Sequence, residues 1–96
     1  MGVAELRVPV GVPLVVEKIS PAPFWKDSYI DAYLNHKPRD LKEMSLGMLD
    51  PKTIVWAVDG KVVSLPSPGG YKHDLVQVIS FLGVGWICED HLSIPR

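Results

Sequence analysis

Asp59-Gly60 is the feature that most limits what this chain can fold into. It lies in residues 50–66, between Ile54-Val55-Trp56-Ala57-Val58 and Lys61-Val62-Val63-Ser64-Leu65, two runs rich in β-branched and aromatic residues. The dipeptide tolerates the positive φ angles of a type I′ turn, so the pattern predicts a β-hairpin. A two-residue loop sets its register: Val58 opposite Lys61, Trp56 opposite Val63 and Ile54 opposite Leu65 on one face, with Val55, Ala57, Val62 and Ser64 on the other. Both faces are largely apolar, which calls for a layer on each side or one side against a partner. Val55, Ala57 and Val62 are therefore the candidate interface residues.

Upstream, Ala4, Leu6, Val8 and Val10 alternate with Glu5, Arg7 and Pro9, the pattern of a half-buried strand. Pro9 removes a ladder donor and favours an edge or a bulge. Gly11 and Pro13 interrupt the pattern, and residues 14–19 resume it as a second strand or as the continuation of one kinked strand. Ser20-Pro21-Ala22-Pro23 then reads as a stop followed by a helix start. Residues 24–37 predict a helix with Trp25, Tyr29, Ala32, Tyr33 and His36 on one side and Asp27, Ser28, Asp31 and Asn35 on the other. Asp40 and Glu43 form a capping-box-like start for a second helix over residues 41–49, striped by Leu41, Met44, Met48 and Leu49 and weakened by Gly47.

After the hairpin, residues 66–70 are a Pro/Gly loop. Residues 71–82 predict a third helix, with Tyr71, Leu75, Val78 and Leu82 stacked on one face and Gly83 as its C-terminal cap. Residues 84–88 predict the last strand, with a continuation to Leu92 as the alternative. The order is β(β)ααββαβ: a single α+β domain over residues 1–96, with a mixed or antiparallel sheet of four to five strands and three helices.

Composition narrows the functional classes. A chain of 96 residues holds one core and has little room for a deep cavity. The formal net charge is −1, without the basic excess that duplex binding demands, so nucleic acid is the weaker of the partner readings. That reading would need Lys18, Lys26, Lys37, Arg39, Lys42, Lys52, Lys61 and Lys72 to converge in space. A near-neutral surface also opposes self-association weakly. One cysteine, Cys88, rules out an internal disulfide and points to a reducing, cytoplasmic setting. The uncharged run 8–16 is broken by prolines and carries no signal-peptide pattern, and run 75–88 is too short to span a bilayer, so no membrane association is expected.

Four groups of residues bear on chemistry. Ser67, Gly69, Gly70 and Lys72 precede the third predicted helix, where free N–H groups and a lysine can hold an anion; the spacing matches neither the P-loop nor the dinucleotide fingerprint, and a plain connecting loop explains it as well. Cys88-Glu89-Asp90-His91 gathers reactive types, but a thiolate–imidazole pair would need His36 or His73 from elsewhere, and a buried cysteine usually packs as a small hydrophobe. His73, Asp74, Glu89 and His91 lack metal-ligand spacing, so neither metal nor cofactor is expected. Phe24, Trp25, Tyr29 and Tyr33 are dense in aromatic surface, which suits a core first and a protein interface second.

The expected function is a small non-catalytic interaction or regulatory module, self-associating or bound to one protein partner. A nucleic-acid-binding regulator is the first alternative. A small enzyme or ligand-binding protein built on residues 66–72 and 88–91 is the second.

Overall fold

A computed structural model describes residues 4–6, 8–17, 21–35, 37–38, 40–65 and 73–93. Its elements are β1 (Ala4–Leu6), β2 (Leu14–Val16), β3 (Ala22–Trp25), α1 (Asp27–Leu34), α2 (Leu41–Met44), β4 (Ser45–Leu49), β5 (Ile54–Leu65), β6 (His73–Ser80), β7 (Gly83–Cys88), a 3-10 turn (Glu89–His91) and β8 (Leu92–Ser93). Seven strands pair in the order β4-β3-β7-β6-β5-β2-β8, and β1 joins the side of β5. Among the described residues every pair of these strands is antiparallel, and Val10 adds an isolated parallel bridge to Ala57. The sheet curls into a half-barrel, and the two helices are short. This corrects the expectation of four to five strands with three helices.

The hairpin at Asp59-Gly60 does not form. Residues 54–65 are one strand, and both of its halves pair with β6: Trp56 and Ala57 with Ile79 and Val78, then Val62 to Leu65 with Val76 to His73. Between Ala57 and Val62 the ladder advances five residues on β5 against two on β6. The turn chemistry thus makes a wide bulge. Asp59 Oδ1 accepts the Lys61 N–H at 3.0 Å, and Gly60 takes φ +74°. The reason is partner length: β6 offers each apolar run a ladder of its own, so neither run needs the other.

β1 and β2 both run antiparallel to β5, Ala4–Leu6 along its second half and Leu14–Val16 along its first. They lie end to end along β5, and the Val8 N–H donates to the Gly60 carbonyl at 3.1 Å where the bulge interrupts them. The third predicted helix is also corrected. Residues 73–80 form strand β6, because Val76, Val78 and Ile79 prefer extended backbone and the period-2 set Val76, Val78 and Ser80 is buried. A tight turn through Phe81 and Leu82 joins β6 to β7, pairing Ser80 with Gly83, and Ser80 Oγ accepts the Leu82 N–H at 3.0 Å.

The first predicted helix shortens to α1. Its N-terminal residues become β3, where Phe24 is fully buried and Pro23 occupies an extended position opposite Met48. The second keeps one turn, capped by Asp40 Oδ1, which accepts the Glu43 N–H at 3.2 Å. Gly47 then sits at φ +129°, far from helical geometry, and the chain continues as β4.

The concave side of the half-barrel holds the main core. Leu14, Val16, Phe24, Leu49, Val55, Ala57, Val62, Val76, Val78 and Ile87 all point into it. The Glu17 N–H donates to the His91 carbonyl at 2.8 Å and β8 pairs with β2, so the chain after β7 is tied to the β2 side.

Candidate functional surface

The convex side of the sheet is covered at one end only. There α1 lays Tyr29 and Ile30 over Leu65 and Leu75, with Trp25, Tyr33, Val63, Trp86 and Cys88 packed around them. Trp25 stacks on Tyr29 with ring centroids 4.1 Å apart and planes 9° from parallel, and Tyr33 meets Tyr29 edge-on at 5.1 Å. Trp86 Nε1 donates to Asp27 Oδ1 at 2.6 Å, which fastens the first residue of α1 to β7. The aromatic density of residues 24–33 is therefore used within the fold.

Beyond the reach of α1 the convex face is open. Trp56 on β5, Ile79 on β6 and Val84 on β7 are register partners and form one lateral row. They are 44%, 46% and 52% exposed. Ile54, two residues before Trp56, is also exposed and pairs with the exposed Val15 of β2. Val58 follows on β5, and Phe81, at the β6–β7 turn, is 76% exposed. None of these seven side chains carries a charge. The patch ends where half-buried Gln77 faces Trp86 and the helix begins. Scattered exposed apolar residues are ordinary, but a contiguous patch on adjacent strands marks an interaction surface.

Val55, Ala57 and Val62, the interface candidates from the sequence, lie in the concave core at 0%, 4% and 1% exposure. Their neighbours on the opposite face, Ile54, Trp56 and Val58, are the ones left open. Ser67, Gly69, Gly70 and Lys72 fall outside the described residues, as does His36. The signal for the open face was present in Val84 and in the strand pattern of residues 75–80. It was masked by the equally good helical spacing of Tyr71, Leu75, Val78 and Leu82.

Cys88 sits half-buried beside the α1 contact, next to the 3-10 turn that carries Glu89, Asp90 and His91. Burial pushes its thiol above the ordinary range. The carboxylates of Asp90, Asp74 and Glu89 push the same way, against a hydrogen bond involving the Asp90 backbone. A raised thiol is less ionised at neutral pH, so it is a poorer nucleophile. We expect iodoacetamide to alkylate native Cys88 at least about tenfold more slowly at pH 7 than the unfolded chain, with the difference shrinking as pH rises above the native thiol's range. Equal native and unfolded rates would show an activated thiol instead. Among the described residues no group of three His, Cys, Asp or Glu side chains is placed to hold a metal ion, and no helix is long and apolar enough to cross a membrane.

Comparison with protein-family models, with curated proteins and with solved structures gave no match for this chain.

Proposed function

We propose that this protein is a small non-catalytic interaction module, and that its working surface is the open convex face of β5, β6 and β7. The chain acts as one domain, in the reducing environment of the cytoplasm that its single half-buried thiol suits. One observation carries the reading: the uncharged row Trp56–Ile79–Val84, continued by Ile54 and Val15, stays exposed although α1 covers the Leu65–Leu75 end of the same face. A tryptophan flanked by branched aliphatic side chains is the composition of an interface centre, where aromatic anchors supply most of the binding energy. The partner is a protein, either another copy of the chain or one other.

The test is the double variant Trp56→Lys/Ile79→Lys. Both positions are exposed, so its unfolding free energy is expected to stay within about 1 kcal/mol of wild type. Complexes isolated from the source cells with the tagged wild-type chain should be lost with the variant. Complexes that survive in the folded variant would place the interaction elsewhere and overturn the reading.

A further inference from the structure

We propose that the occupant of this face is a second copy of the chain, packed convex face to convex face about a twofold axis that runs parallel to the strands through Ile79. This rests on the reading of the face as an interaction surface and specifies what covers it.

Three observations point to it. The first is area. The seven side chains Val15, Ile54, Trp56, Val58, Ile79, Phe81 and Val84 are 36–76% exposed. Together they present on the order of several hundred Å² of apolar surface, a substantial part of the roughly 800 Å² that each partner contributes to a standard interface. The second is charge. The seven side chains of the patch are uncharged, the exposed Lys61 stands only at its bulge end, and the chain has a net charge of −1, so two copies meet with little desolvation of charge and little long-range repulsion. The third is shape. Trp56 and Val84 flank Ile79 on either side, each about one strand spacing (~4.8 Å) away. A twofold axis along β6 places the large ring of Trp56 from one copy over the small Val84 of the other, and Ile79 over Ile79. Large against small is how packed layers fill space. An axis across the strands would set Trp56 on Trp56 and leave a gap over Val84, so the row selects the first arrangement. The contact is isologous and closes at two copies.

Sedimentation of the wild-type chain gives the first readout: a dimer at micromolar concentration, weakened by about 100-fold in Trp56→Lys, the scale of losing a central aromatic anchor. Position is read with a short bismaleimide in a Cys88→Ala background. Ile79→Cys should give a covalent dimer. A mixture of Trp56→Cys and Val84→Cys chains should give more mixed dimer than either chain gives alone. Lys42→Cys, on α2 at the helix-covered end and outside the exposed row, is the control and should give less than Ile79→Cys. A wild-type monomer at high micromolar concentration, or Ile79→Cys cross-linking no better than Lys42→Cys, overturns the proposal. If the wild-type chain is monomeric but Trp56→Lys/Ile79→Lys loses a different protein partner, the second copy is wrong while the interaction reading stands. Preferential Trp56→Cys self-cross-linking would overturn the axis assigned here.

Discussion

Replacing Val55 and Val62 together with lysine is expected to leave no folded protein at 25 °C. Both side chains lie in the concave core, at 0% and 1% exposure, among Leu14, Val16, Val76, Val78 and Ile87. Each substitution forfeits roughly 1.5–3 kcal/mol of apolar burial. Each also forces an ammonium group into the interior, at an effective cost of several kcal/mol, or strips it of its proton at similar expense. Two such changes together match or exceed most of the roughly 5–15 kcal/mol range by which a small domain is stable. Circular dichroism and tryptophan emission should both report an unfolded chain, with no cooperative transition in urea. A variant that still unfolds cooperatively would mean that these positions face outward. The matched pair Trp56→Lys/Ile79→Lys on the other side of the same strands should fold normally. The two double variants together therefore read out which face of the sheet is inside.

That question is the one the sequence left undecided. The side-chain sets along residues 54–65 were legible: Val55, Ala57, Val62 and Ser64 share one face, while Ile54, Trp56 and Val58 share the other with Lys61, Val63 and Leu65. A two-residue hairpin loop and the observed bulge shift the strand parity in the same way, so the sets survive the change of topology. Which set is buried does not follow from parity. It depends on the curl of the whole sheet and on where α1 lands, and both are set by contacts far apart in the chain. The bulge itself was invisible because Asp59-Gly60 serves a wide bulge as well as a hairpin turn.

Elsewhere local signals were right about boundaries more than about type. The capping side chain of Asp40 acts as its position suggested, yet only one turn follows it, because Gly47 and the pairing with β3 favour extended backbone. Residues 75–79 satisfy a helical stripe and a strand alternation at once. The two neighbours β5 and β7 decide the matter by giving Leu75 to Ser80 a ladder on both sides. Phe24 carried no mark that distinguished it from the helix after it; burial in the concave core assigns it to β3. The open surface was half legible, since a surplus of apolar residues was evident while their placement on the convex face was not.

Gly60→Ala is expected to destabilise the fold by roughly 2–5 kcal/mol, with Gly60→Val worse. Two costs combine. The backbone at Gly60 has φ +74°, where an L-residue pays about 1–2 kcal/mol for its Cβ. Gly60 is also buried, and a Cβ there would collide with the Val8 carbonyl oxygen and stand 3.2 Å from Val10 Cγ2. The first obstacle is backbone, so a rotamer change cannot relieve it. Relief requires the segment around Val8 to lift from the bulge, which strains the hydrogen bond from the Val8 N–H to the Gly60 carbonyl and loosens Val8 from the core. Overpacking of this kind costs about 1–3 kcal/mol beyond the backbone strain. Gly11→Ala separates the two contributions. Gly11 has φ +82° but nothing within 4 Å of where its Cβ would sit, so that variant should lose only the roughly 1–2 kcal/mol of backbone strain. Urea unfolding of both variants gives the comparison directly. A Gly60→Ala loss no greater than that of Gly11→Ala would remove the collision and return Gly60 to an exposed turn, the position it would hold at the tip of a hairpin.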